Sequence, residues 1–190
     1  MDQIICLIGE SGSGKSTVAA LLQQKMNCNL IRSYTTRPPR HQGEQGHIFA
    51  NELPVRGPAA AEVTAHTVYG GHHYWSMAAQ YRGRGLSVYP IDPPGAETLR
   101  RASGIPVVII YLKTDEYTRW MRMAQRRDRA ERTRIDQELF RFVLCDYAID
   151  ANGESERTSD YAIAAYHHWA VFGKELTAPR LPDAKRMTEK

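Results

Sequence analysis

The sequence predicts an α/β protein with a parallel sheet of about five strands and helices on both faces. Three observations carry that expectation. Short apolar runs alternate with helix-forming stretches, the order that βα units require. The first run, Ile4-Ile5-Cys6-Leu7-Ile8, leads directly into Gly9-Glu10-Ser11-Gly12-Ser13-Gly14-Lys15-Ser16, with Thr17 behind it. The run Ile105-Pro106-Val107-Val108-Ile109-Ile110-Tyr111-Leu112 is apolar almost throughout, as a strand covered on both faces should be.

The loop after the first strand fits G-x-x-x-x-G-K-[ST] at every fixed position, the pattern of a phosphate-binding loop. Gly9, Gly12 and Gly14 let the backbone turn tightly and approach a phosphate with no Cβ in the way. Successive N–H groups, from Glu10, Ser11 and Ser13 through to Thr17, then form an anion-binding concavity at the start of a helix. Lys15 reaches the β- and γ-phosphates, and the Ser16 hydroxyl ligates Mg²⁺. Val18-Ala19-Ala20-Leu21-Leu22 continues as a good helix former. The stretch reads as a nucleoside triphosphate site.

Cys28 to Arg32 reads as a second short strand. Ser33 to Gly46 turns polar, with Pro38, Pro39, Gly43 and Gly46, and cannot be core. It is either a solvated loop or an arginine-lined seat for a second phosphorylated ligand. An irregular turn and a short helix follow between Leu53 and Ala61. Val63 to Trp75, with Gly70-Gly71, suits two small strands joined by a turn. Residues 33–83 therefore form an inserted lobe within a core made of residues 1–32 and 84–190. Leu86 to Asp92 returns to the strand pattern, Pro93-Pro94-Gly95 breaks the chain, and Ala96 to Ala102 reads as a helix. Asp115 stands at a helix N-cap. The basic run from Arg119 to Arg141 follows it, with a lid near 122–136. Tyr147 to Asp150 is a last short strand, and Ser155 or Thr158 starts a final helix running to about Leu176. The end of the chain, 177–190, looks loosely ordered.

At 190 residues the chain can bury one sizeable core. No apolar run reaches the ~18 residues that a membrane span needs. Met1-Asp2-Gln3 passes straight into the first strand, which reads as leaving no room for a signal peptide. Three scattered cysteines without C-x-x-C spacing suit reduced thiols in a cytoplasmic protein. A net charge of +4 suits an anionic small molecule, and no nucleic-acid partner is expected.

Ser33-Tyr34-Thr35-Thr36-Arg37-Pro38-Pro39-Arg40, followed by Gly43-Glu44, Gly46 and Phe49, resembles the S-x-T-T-R-x-P-R-x-x-G-E signature of guanylate kinases. Gly71-His72-His73-Tyr74-Trp75-Ser76, Ile91-Asp92 and Asp146-Tyr147 extend the resemblance over most of the chain. It implies a P-loop nucleoside monophosphate kinase fold, with ATP as phosphoryl donor and Mg²⁺ as cofactor. Arg37 and Arg40 would hold the acceptor's phosphate with help from Tyr74, and Glu44 and Phe49 would belong to the same acceptor site. Guanidinium forks match phosphate oxygens bidentately, which makes Arg apt there. Ser33 would bond the acceptor base and Ser76 would sit beside it. Asp92 would orient the magnesium shell or Lys15, or contact the acceptor; as a helix cap before Pro93 it has an equally natural use. Arg122, Arg126 and Arg134 are the expected lid arginines, neutralising charge in transfer. Asn152 lies where the family often has an asparagine near adenine, and a turn before Gly153 would also explain it.

Three positions depart from that pattern. Ala65-His66-Thr67-Val68-Tyr69 offers no carboxylate where the family's guanine-reading glutamate belongs, and Glu62 comes too early. Neither His nor Thr replaces the bidentate reading of guanine's N1–H and 2-amino group. Phe49 stands for a phosphate-binding tyrosine, and Pro90 for the first carboxylate of an Asp-x-Asp element. Kinase chemistry is thus better supported than guanine specificity. The expected reaction is γ-phosphate transfer from Mg·ATP to a monophosphate acceptor, GMP or dGMP first. A phosphorylated sugar such as a ribose bisphosphate is the alternative. A non-catalytic binding module of the same fold ranks below both, because the phosphate loop is complete.

Overall fold

The computed structural model describes residues 1–124 and 129–173. The chain runs through β1 (Gln3–Ile8), α1 (Lys15–Met26), β2 (Asn29–Leu30), β3 (Tyr34–Thr35), β4 (Ile48–Phe49), α2 (Gly57–Ala61), β5 (Val63–Tyr69) and β6 (His72–Met77). After a 3-10 turn (Ala78–Gln80) come β7 (Leu86–Pro90), α3 (Pro93–Ala102), β8 (Val107–Lys113), α4 (Glu116–Arg122), α5 (Arg129–Leu139), β9 (Tyr147–Asp150) and α6 (Ser155–Phe172). Five strands form the parallel sheet the sequence predicts, in the order β2-β7-β1-β8-β9.

The period of two along β1 divides the core into layers. Ile4, Cys6 and Ile8 face Ala96 and Leu99 of α3, while Ile5 and Leu7 face Val18, Ala19 and Leu22 of α1 and Ala162 of α6. All of these are essentially out of solvent. A strand with helices on both sides has no polar face to show, which is why β1 and β8 read as continuous apolar runs. Cys6 and Cys28 lie buried in this core and Cys145 half-buried, all as free thiols.

A second sheet, in the order β4-β3-β6-β5, stands beside the first. The β5–β6 hairpin turns at Gly70 and Gly71, whose φ values of 57° and 75° are those a two-residue hairpin favours. This sheet corrects one expectation. The segment from Ser33 is not all surface loop: Thr35 is fully buried, and Ser33 and Arg37 are nearly so. Tyr34 and Thr35 pair with Trp75 and Tyr74 of β6 and with β4, and Tyr34 stacks on Trp75 at 5.5 Å.

Two further expectations change at the helices. Pro93 and Pro94 begin α3 and do not break the chain before it. Their fixed φ and missing N–H groups fit a first helical turn. The basic run is divided, because α4 ends at Arg122 and α5 begins at Arg129. Arg126 lies outside the described residues, as does 177–190. Among the described residues no helix is long and apolar enough to cross a membrane. Packing of α3 against β5 sets the small sheet facing the carboxyl ends of β1, β7 and β8.

Candidate active site

The glycines of the phosphate loop are where close approach demands them. A Cβ at Gly9 would come within 2.5 Å of Ser13 Oγ, and one at Gly12 within 2.8 Å of the Arg119 carbonyl. Gly12 and Gly14 hold φ values of 84° and 93°, in the left-handed region. Gly14 caps α1 without any side-chain hydrogen bond, so the helix's first N–H groups carry no side-chain cap. The Lys15 ammonium folds across the loop and donates to the carbonyls of Gly9 and Glu10. Ser16 and Thr17 are exposed on its rim. Ser13 is buried with its Oγ unpartnered among the described residues, and Glu10 turns away to accept from Tyr111 Oη at 3.0 Å. Those two side chains brace the loop and their backbones shape it.

Across the cavity, Glu44 gathers the arginines. It accepts from Arg37 Nη2 at 2.6 Å and Arg37 Nη1 at 3.3 Å, from the Arg40 N–H at 2.7 Å and from Arg40 Nη1 at 3.3 Å. Burial alone would raise its carboxyl. The Arg37 fork, the Arg40 N–H and both positive charges outweigh burial and hold it at about 2. Arg37 lies over the Phe49 ring at 5.5 Å, and its buried Nε has no partner among the described residues. The expected division of labour therefore shifts. Arg40, Glu44 and Tyr74 line the cavity, whereas Arg37 and Phe49 form the wall behind them. His47 completes this wall, 5.6 Å from the Tyr74 ring. Burial first, then the charge of Arg37, pushes its imidazole down to about 4, so it is neutral at pH 7.

The end of the cavity expected to read a base is closed on itself. Ser33 Oγ and Tyr89 Oη are hydrogen-bonded at 2.9 Å, and Ser76 Oγ lies 3.2 Å from Thr64 Oγ1, fully buried. Ser76 therefore does not line the cavity, and Ala65 does. Asp92 caps a helix, one of the uses the sequence left open, and also lines the cavity. Its Oδ1 caps α3 by accepting from Gly95 N at 2.7 Å, and its Oδ2 accepts from Thr67 Oγ1 at 2.6 Å at the cavity wall. Burial pushes this carboxyl up, against the pull of Thr67, Gly95 and the Lys15 charge.

The lid residues divide by helix phase. Arg122 donates to the carbonyls of Gly12, Ala151, Asn152 and Gly153 at 3.0–3.4 Å. It thereby staples the turn after β9 to the phosphate loop. Asn152 bonds within that turn, accepting from Asp115 N and donating to Asp150, and lines a separate cavity of about 340 Å³. Arg134 is exposed on α5, away from the loop. Arg132, two residues earlier, is the one that reaches in: its Nη1 is 3.5 Å from Ser11 Oγ and its guanidinium lies 5.4 Å from the Tyr69 ring centroid.

These parts enclose one cavity of about 1130 Å³, with the phosphate loop at one end and Arg40, His47 and Tyr74 at the other. No family model matches the sequence. Over 112 residues the chain is 31% identical to a guanylate kinase of Nitrosomonas europaea. That match covers 53% of this chain and 54% of the relative, so it spans about half the length of the curated relative. The crystal structure of guanylate kinase from Anaplasma phagocytophilum aligns over 87% of this chain and 85% of its own, with a TM-score of 0.60 at 19% identity. The chain has the guanylate kinase-like P-loop fold. A gluconokinase from Sinorhizobium meliloti 1021 shares that architecture, with a TM-score of 0.56 at 16% identity over 93% of this chain and 98% of its own. In this chain the glycine-rich loop and Arg40 line opposite ends of one cavity.

Sequence reasoning missed His47, Tyr69, Tyr89 and Asp136, and placed Arg132 in the lid run without favouring it. Only the i, i+4 spacing of Arg132 and Asp136 was available as a signal, since it puts both on one helix face. The others become neighbours through β-pairing that no local pattern announces.

Proposed function

We propose that this chain is an ATP-dependent phosphotransferase of the guanylate kinase type, acting on a small phosphorylated acceptor. The observation that carries the reading is the placement of an anion-binding loop and an arginine seat on one cavity. A nucleoside monophosphate is the first candidate acceptor, GMP or dGMP foremost. Lys15 turns from the loop carbonyls to the β- and γ-phosphates, and Arg40 with Tyr74 holds the acceptor's phosphate. Arg37 keeps Glu44 and the Arg40 backbone in place. Arg132 and Lys15 neutralise charge on the transferred group, so the protein's contribution is positioning and electrostatics. Ser16, exposed on the rim, and Asp92 offer the hard oxygen donors magnesium takes; one or two protein ligands beside phosphates are its usual complement. These two residues would hold a Mg²⁺ ion there, whose chemistry would be to offset phosphate charge. Three free thiols suit a reducing, cytoplasmic setting.

A specific observation favours a second acceptor class, a phosphorylated sugar. The three carboxylates lining the cavity, Glu44, Asp92 and Asp136, are each engaged by protein donors, and Ala65 supplies none. Guanine's N1–H and 2-amino group need a carboxylate that is free to accept from both. A coupled assay for ADP release over nucleoside monophosphates and sugar phosphates separates the two. Turnover with GMP or another monophosphate nucleotide supports the first reading, and turnover with sugar phosphates alone supports the second. No acceptor-dependent ADP with either class overturns the proposed function.

A further inference from the structure

Asp136 does something a helix beside a phosphate loop does not call for. It is 96% out of solvent, and its Oδ2 accepts from the Ser11 N–H of the loop at 2.7 Å. Its Oδ1 accepts from Tyr69 Oη at 3.2 Å, and the same hydroxyl lies 3.4 Å from Ser11 Oγ. One carboxylate thus joins three parts of the molecule: the donor loop, strand β5 of the small sheet, and helix α5. Arg132, one turn earlier on α5, sits over the Tyr69 ring and reaches Ser11 Oγ.

We propose that Asp136 is a positioning residue that acts as the loop's resident anion. It sets Arg132 and Tyr69 against the donor site and yields the Ser11 N–H when the terminal phosphate of a nucleoside triphosphate arrives. The chemistry follows from the loop's design. Backbone N–H groups arranged to hold phosphate also hold a carboxylate, and a charged acceptor makes that bond a strong one. Two anions cannot share the donor without mutual repulsion, which grows in a cavity with little water. Lys15 shows the complementary arrangement, because its ammonium rests on loop carbonyls. Donor binding would therefore exchange both internal ions for phosphate contacts. The exchange frees Tyr69 and α5 to move against the acceptor, which ties the closing of the site to the presence of a triphosphate. The inference rests on the reading of the loop as a nucleotide site.

Calorimetry of ATP, ADP and AMP against wild type, Asp136→Asn and Tyr69→Phe tests it. Asp136→Asn keeps the size and one acceptor oxygen for the Ser11 N–H but removes the charge. The expected result is ATP affinity raised about tenfold, with AMP affinity unchanged, because only the charge competes with the terminal phosphate. Tyr69→Phe, which leaves the carboxylate on Ser11, should alter the ATP-to-AMP ratio less than Asp136→Asn does. A merely structural aspartate would lower all three affinities together or none. Equal or weaker ATP binding by Asp136→Asn, relative to AMP, overturns the proposal while leaving the nucleotide site standing. If Asp136→Asn does not fold, hydrogen exchange of the wild type decides: ATP should speed exchange at the backbone amides around Asp136 on α5 and Tyr69 on β5, and slowed exchange there overturns the exchange of anions. No ATP binding by wild type overturns the nucleotide reading itself.

Discussion

Glu44 and His47 stand three residues apart in the sequence and both are shifted downward, Glu44 by the two arginines against its own burial and His47 first by burial and then by the charge of Arg37. Glu44 is held at about 2 against an ordinary 4.5, so the unfolded chain takes up its proton first as pH falls. The stabilisation from its ion pairs is present above pH 4.5 and is lost as pH falls toward 2, roughly 2–3 kcal/mol in all. His47 is held at about 4 against 6.5 because its folded form resists the charge. Unfolded His47 binds a proton below pH 6.5 while the folded one does not, so stability falls between pH 6.5 and 4. Urea unfolding at pH 7, 5 and 3 separates the two. His47→Gln should flatten the loss between pH 7 and 5, and Glu44→Gln the loss between pH 5 and 3. Neither residue's environment is legible in sequence, because Arg37 reaches Glu44 only after β3 and β4 pair.

At the scale of elements, β1, the phosphate loop and α1 were legible from the sequence, and so was β8. Their apolar runs are long enough to show both-faced burial, and each loop glycine has a steric duty. Strands β3 and β4 have two residues each, too few for any period to appear. Helix phase was illegible for another reason. Where α5 starts decides which arginine of the basic run faces the loop, and charge alone does not say. The structure turns Arg132 inward and Arg134 outward. Arg132→Ala should therefore lower the rate of phosphotransfer by roughly 10³-fold, the scale of a transition-state arginine, and Arg134→Ala by less than about threefold. Steady-state kinetics on the purified variants checks both, and the reverse order would mean that α5 rotates when substrates bind.

On the scale of the whole molecule, two sheets of different design share one cavity. The glycine-rich loop follows β1, the central strand of the parallel sheet, and Arg40, in the connection between β3 and β4 of the small mixed sheet, lines the opposite end of the cavity. Architecture of this kind was readable from the alternation of strands and helices. The wall between the two ends of the cavity was not, since it is made by Tyr89 of one sheet bonding to Ser33 at the border of the other. The most direct measurement follows [γ-³²P]ATP with wild type and Arg40→Met, reading where the label goes and how tightly ATP binds. The account predicts label transferred to a phosphorylated acceptor, with Arg40→Met raising the acceptor KM roughly tenfold or more and leaving ATP affinity unchanged. Label released only as inorganic phosphate, whatever acceptor is present, would contradict it.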